Sequence, residues 1–279
     1  MIGVIGLGLI GGSMAKALNQ LTDETVYGFD TNPEVVRRAK LVNAIEEELT
    51  PEMIPLCDLV IIALYPEATR KVLEQYAGTF KKDAIVMDTC GVKGTICPVG
   101  ESLAREHGFY FIGGHPMAGV EHSGFEYARK ALFNNASMVL VPPTGTPIAV
   151  VDRLKKLLVS IGFTNVQITT PEEHDRMIAF TSQLAHVVSS AYIKSPNAAN
   201  HAGFSAGSYK DLTRVAKLNE TMWTELFLEN PDNLADEIDA IIANLQDYSD
   251  AIRGNDPEQL RKLLREGRLR KEEIDNERF

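Results

Sequence analysis

Within the stretch from Phe111 to Gly124, FIGGHPMAGVEHSG, one histidine stands between a glycine pair and a proline. An imidazole titrates near pH ~6.5 when unperturbed. It can therefore accept a proton or a hydrogen bond from a substrate hydroxyl while hydride leaves the same carbon. Gly113, Gly114 and Pro116 argue against a helix or a central strand around His115, so the sequence predicts an irregular loop that aims the ring. A metal reading of the same stretch fails on spacing. His115, Glu121 and His122 lack the i, i+4 repeat of helical ligands, and Pro116 and Gly119 would break such a helix, so no metal is expected.

Hydride needs an acceptor, and the amino-terminal VIGLGLIGGSMAKAL supplies a place for one. Gly6, Gly8 and Gly11 have the G-x-G-x-x-G spacing between a strand pattern and a helix pattern. The first allows a tight turn, the second lets a pyrophosphate approach the backbone at the helix start, and the third lets helix and strand pack closely. Leu9 and Ile10, at the helix opening, are assigned to the same cofactor contact. Asp30 ends the next strand pattern about 20 residues past Gly11, where an acidic side chain accepts hydrogen bonds from the ribose hydroxyls and repels a 2′-phosphate. NAD is expected over NADP. Arg37 and Arg38 lie near enough to favour a phosphate, but read better as exposed charges on the following helix.

These groups need a scaffold, and the pattern of the chain describes one. Short β-branched runs at 2–5, 25–30, 59–64, 84–88, 110–112, 137–141 and 166–169 alternate with amphipathic segments such as 33–41, 67–80 and 148–161. Such alternation predicts a doubly wound parallel sheet of the Rossmann type, whose ligands lie beyond the carboxyl ends of the strands. After Pro171 the strands stop. Helix patterns at 172–194, 206–218, 220–228, 232–253 and 257–270 predict an all-helical carboxyl-terminal domain, with the boundary between 1–170 and 171–279. The segment 172–194 is apolar around much of its circumference, as expected of a helix buried on more than one side.

Composition narrows the function. The chain has 279 residues, 44% of them hydrophobic, with a formal charge of −10 and no basic block, so a nucleic-acid partner is not expected. Any anionic substrate must be held by local positive charge against a repelling global field. Three cysteines without a C-x-x-C suit reduced thiols, and Cys57 and Cys97 read as small buried hydrophobes. No apolar run approaches the roughly 20 residues of a membrane helix, and no basic leader precedes the first strand. A cytoplasmic enzyme is the expectation.

Taken together, GGHPMAG with GVEHSG, the amino-terminal GLGLIGGS and the downstream DLTRVAKLNETMW resemble the prephenate/arogenate dehydrogenase family of tyrosine biosynthesis. The resemblance implies NAD-dependent oxidative decarboxylation of prephenate to 4-hydroxyphenylpyruvate, or the same chemistry on arogenate. It makes His115 the catalytic histidine, His186 a substrate contact and Arg214 the clamp on a substrate carboxylate, for which a planar guanidinium is suited. Glu121 matches an acidic residue near the pocket, Trp223 falls in the matching M-W pair, and the helical half resembles a homodimerisation domain. Without the resemblance His186 reads as a core histidine and Arg214 as a helix pair of Asp211. Two departures stand out. Gly91 occupies the position where the family often has a serine on the substrate hydroxyl, with Cys90 or Thr89 as local substitutes, and SQLAH places Gln183 and Ala185 where the family reads a histidine and a proline. Nothing after Arg253 resembles an appended regulatory module. A β-hydroxyacid dehydrogenase is the weaker reading because the long helix lacks its lysine motif, and a non-catalytic NAD sensor is the alternative of another class.

Overall fold

The computed structural model describes residues 1–119 and 122–276. By contact the chain forms two compact units, Met1–Pro231 and Asp232–Phe279.

The first unit is built on β1 (Ile2–Ile5), α1 (Leu9–Leu21), β2 (Val26–Phe29), α2 (Pro33–Leu41), β3 (Glu47–Glu48), β4 (Leu59–Ile62), α3 (Pro66–Tyr76), β5 (Ile85–Asp88), α4 (Cys97–His107), β6 (Tyr110–Met117), β7 (Ser137–Val141), α5 (Ile148–Ser160) and β8 (Asn165–Ile168). Among the described residues eight strands form one sheet in the order β3-β2-β1-β4-β5-β6-β7-β8. Every pairing is parallel except β6 with β7. The strand order reverses between β1 and β4, the switch point at which such sheets open a crevice. Period-2 alternation explains why the central strands are apolar throughout. Leu59 and Ile61 of β4 enter the core on one face with Met14, Leu18 and Phe133, whereas Val60 and Ile62 enter the other with Leu73 and Phe111. Each such side chain contributes about 1.5–3 kcal/mol by leaving water.

Two expectations change here. The sheet is mostly rather than wholly parallel, because the chain returns from β6 to β7 without a crossover helix. His115 also lies in a strand rather than an irregular loop. β6 continues through Gly113 to Met117, with His115 opposite Val139 and Pro116 opposite Met138. β5 pairs only with residues up to Ile112, so beyond that point β6 has a single partner, and a proline can be tolerated where one side of the strand is free. The chain after β6 is anchored on α1: Gly12 leaves room for the Phe125 ring, Lys16 Nζ donates to Ala128 O at 2.6 Å and Arg129 N to Ser13 Oγ at 3.0 Å.

The remaining helices of this unit start where capping residues dictate. In α6 (Pro171–Ile178) Thr170 Oγ1 accepts from Glu173 N and Pro171 takes the first turn, where its missing N–H costs nothing. The expected continuous helix over 172–194 is interrupted by a π-helical turn, Ala179–Gln183, before α7 (Leu184–Ile193). α8 (Gly207–Thr213) follows, shorter than its sequence pattern, and Asn219 caps α9 (Glu220–Leu228) by accepting from Met222 N at 3.0 Å. The second unit comprises α10 (Pro231–Arg253) and α11 (Pro257–Asn276). On α10, Ile242, Leu245 and Ile252 are all more than half exposed at helical spacing. Among the described residues no helix is long and apolar enough to cross a membrane.

A Cβ added at Gly11 would lie 1.9 Å from Gly6 O. Gly11→Ala is therefore expected to push α1 off β1 and lower stability by about 1–3 kcal/mol, read as a lower urea midpoint.

Candidate active site

The dinucleotide loop has the shape its glycines call for. Gly6 adopts φ +90°, and its Cβ would strike Ala63 O at 2.4 Å. Gly8 has nothing within 4 Å of the Cβ position, which leaves backbone open to a phosphate. It is also the N-cap of α1, with no side-chain cap and no acidic residue in the first turn, so the amide donors of Leu9, Ile10 and Gly11 carry the positive end of the helix dipole unscreened. Asp30 Oδ2 accepts from Leu7 N at 2.9 Å and Oδ1 from Asn32 N at 2.9 Å. Each oxygen keeps a second lone pair for ribose hydroxyls. Arg37 and Arg38 are both bonded to Glu34, at 2.8–3.0 Å, and so are engaged away from any 2′-phosphate. The residues present fit NAD.

At the carboxyl ends of β5 and β6 a buried charge pair sets the second half of the site. Asp88, fully buried, accepts from Lys93 Nζ, from Cys90 N at 2.8 Å and from Gly114 N at 3.2 Å. The ammonium of Lys93 is equally buried, and burial alone would lower its pKa, but the charge and hydrogen bond of Asp88 together with the neighbouring Cys90 and Cys97 raise it. This pair ties the loop after β5 to the backbone beside His115. Cys90 turns its thiol to Thr69 Oγ1 at 3.3 Å and to Leu64 O, and burial pushes it far up. It therefore does not replace the family serine.

His115 is half-buried. Its Nε2 lies 3.9 Å from where a Cβ would stand on Gly91, and Leu226 of α9 closes the same spot at 3.3 Å. On its other side Nδ1 meets His174 Nε2 at 2.9 Å, and His174 Nδ1 meets Asp175 Oδ1 at 2.7 Å. The sequence gives no signal for His174 or Asp175, which follow the first turn of an ordinary helix start, PEEHDR. Burial, helped by His174 and Lys93, holds His115 well below its usual range, and burial also lowers His174 against the pull of Asp175.

His186 and Trp223 form a second group, ring centroids 3.9 Å apart. His186 Nδ1 donates to Val215 O at 3.1 Å, which leaves Nε2 as the acceptor. Burial lowers its pKa and the neighbouring charge of Arg214 adds to that. Arg214 is exposed and makes no ion pair among the described residues, Asp211 included. α9 joins the two groups: Trp223 and Leu226 stand three residues, about 4.5 Å, apart on one face. The helix is fixed by Glu225 Oε1 accepting from Glu67 N at 2.6 Å, and by Arg70 bridging both oxygens of Glu229 at 2.8 and 3.1 Å. Gln183 is also structural. It is buried, donates to Leu226 O at 3.0 Å and accepts from Asn230 Nδ2 at 2.9 Å. Glu121 lies outside the described residues.

Because His115, His174 and His186 are all lowered, the folded chain binds fewer protons than the unfolded one below pH about 6.5. Stability is complete above that pH and is lost as pH falls through it, by up to ~1.4 kcal/mol per pH unit per histidine. Urea midpoints measured near pH ~7.5 and ~5.5 should diverge less in His115→Gln/His174→Gln than in the wild type.

Comparison with known proteins bears on the identity of this site. A family model described as prephenate dehydrogenase, nucleotide-binding domain, matches residues 14–167, and one described as prephenate dehydrogenase, dimerization domain, matches 170–266. A cyclohexadienyl dehydrogenase of Zymomonas mobilis is 30% identical over 95% of this chain and 92% of its own. The crystal structure of prephenate dehydrogenase from Aquifex aeolicus in complex with hydroxyphenyl propionate and NAD+ aligns at TM-score 0.86 and 28% identity, covering 98% of this chain and 97% of that one. The arogenate dehydrogenase structure from Synechocystis aligns at TM-score 0.83 and 25% identity, covering 98% and 99%. With a glycine loop fitted to NAD and both halves matched, the chain belongs to the prephenate dehydrogenase family.

Proposed function

We propose that this protein catalyses the NAD-dependent oxidative decarboxylation of prephenate to 4-hydroxyphenylpyruvate, with His115 as the base. The observation that carries the reading is an imidazole nitrogen, His115 Nε2, 3.9 Å from the Cβ position of Gly91, a position that Leu226 of α9 also lines, on the helix whose Trp223 packs against His186. Gly6, Gly8, Leu9, Ile10, Gly11 and Asp30 hold the cofactor. Bound NAD supplies the acceptor for the hydride that leaves the substrate's hydroxyl-bearing carbon.

His115 accepts the hydroxyl proton, and its lowered pKa keeps it unprotonated and ready at neutral pH. Arg214 pairs with a carboxylate and His186 contacts the substrate, which gives a dianion local positive charge in a protein of charge −10. Glu121 is placed near the pocket by the family resemblance alone. Loss of carbon dioxide makes the ring aromatic, and that stabilisation drives the reaction forward. Gly91 supplies no hydroxyl, so positioning of the substrate oxygen falls more heavily on His115.

The same site serves arogenate if the pocket tolerates an ammonium, and the arogenate dehydrogenase likeness favours keeping this as the second reading. A homodimer through the helical half, with the cofactor domain ending near residue 170, is supported by the name of the second family model and by the exposed Phe180, Phe204 and Leu228. A cytoplasmic setting agrees with three free cysteines.

Mixing the protein with NAD or NADP and with prephenate or arogenate, and following nicotinamide reduction, is expected to show turnover with NAD and prephenate. A higher kcat/KM for arogenate would transfer the assignment. His115→Asn should lower kcat by on the order of 10²–10⁴-fold. Arg214→Lys should raise KM by roughly 10-fold or more through loss of the bidentate pair, with kcat less affected.

A further inference from the structure

The orientation of protons around His115 follows from its neighbours, one donor at a time. Asp175 is the fixed end. Its Oδ1 accepts from Lys93 N at 2.8 Å and its Oδ2 from Gly94 N at 2.7 Å, while Oδ1 also meets His174 Nδ1 at 2.7 Å. Each carboxylate oxygen already takes an amide N–H, so toward His174 the group acts as an acceptor. His174 Nδ1 therefore carries a proton. His174 is buried with Lys93 nearby, and in its neutral form Nε2 is a bare lone pair. The 2.9 Å contact to His115 is then a bond donated by His115 Nδ1, which leaves the lone pair of His115 on Nε2, the nitrogen beside Gly91.

We infer that Asp175 and His174 act as a positioning pair that fixes His115 in its Nδ1–H tautomer, presents Nε2 to the substrate hydroxyl, and shares the positive charge formed when that proton arrives. The inference rests on the reading of His115 as the base. In the step, the substrate O–H bond breaks and an Nε2–H bond forms. The O–H electron pair stays on oxygen and becomes part of the new carbonyl as hydride departs to NAD. His115, now protonated on both nitrogens, is a stronger donor to His174 Nε2, and the bond from His174 Nδ1 to Asp175 offsets the charge without protonating Asp175. The charged and titratable groups facing this chain are Asp88 and Lys93 from the loop after β5, which neutralise each other, and Asp175 from α6. The opposite arrangement, a protonated His174 donating to His115, would place the proton of His115 on Nε2 and make it useless as a base.

The test is ¹⁵N spectroscopy of the histidine rings in the full-length protein with NAD, with His115 assigned by its loss in His115→Asn. The expected result is a protonated Nδ1 and a bare Nε2 on His115 near neutral pH; a proton on Nε2 overturns the proposal. This reading needs no turnover, so it stands apart from the assignment of substrate. His174→Phe, which keeps a ring but removes both nitrogens, should release His115 to a mixture of tautomers and lower kcat by on the order of 10²-fold with KM within about threefold. His174→Gln, whose amide oxygen can still accept from His115, should keep the Nδ1–H tautomer and recover about tenfold of that loss. A His174→Phe protein with wild-type tautomer and wild-type kcat would also overturn it.

Discussion

Asp175 reaches from the second turn of α6 into the loop after β5, where its two carboxylate oxygens take the amide protons of Lys93 and Gly94 while one of them holds His174. Its own carbonyl receives Asn230 Nδ2 at 2.8 Å. One buried anion thereby joins the strand-built part of the first unit to its helical part, and everything near His115 is registered against it. A side chain with no acceptor at this position would leave the buried amide of Lys93 unpaired, and an unpaired buried donor is costly. The geometry of the histidine pair is thus a consequence of how the helical segment docks.

A second buried charge pair, Asp88 with Lys93, lies one loop away and serves the same local end. Asp88 spends its remaining acceptors on Cys90 N and Gly114 N, the residue before His115. Buried ion pairs contribute little net stability against apolar alternatives, but they fix orientation because every misalignment exposes a desolvated charge. In a chain of net charge −10 the pair also keeps the surroundings of His115 close to neutral.

The two departures from the family pattern resolve differently in three dimensions. Gln183 lies in the π-helical turn, buried, and uses both ends of its amide to hold Leu226 and Asn230. It shapes the pocket through α9. Gly91 is a change at the pocket itself, since its Cβ position lies between Leu226 and His115 Nε2. A chemically conspicuous substitution is here a packing device, and the absent side chain is the one nearest His115 Nε2.

How much was legible beforehand depends on how local the deciding forces are. The glycine loop, Asp30, the alternation of strands and helices, and the caps at Thr170 and Asn219 could be read because each rests on backbone sterics or on hydrogen bonds spanning a few residues. The sequence reads as a loop at His115, because Gly113, Gly114 and Pro116 disfavour a strand locally and pairing with β7, more than twenty residues on, makes one. β3 escaped notice for a similar reason: two acidic residues become a strand only beside β2. His174 and Asp175 give no signal in PEEHDR, since a histidine and an aspartate near a helix start are unremarkable until the fold brings them to His115 and Lys93, 59 and 82 positions away along the chain. The sequence by itself determined the fold class and the glycine loop that fits the cofactor. Only the tertiary structure decided which groups meet His115, because packing alone brings His174, itself bonded to Asp175, within hydrogen-bond reach of that ring.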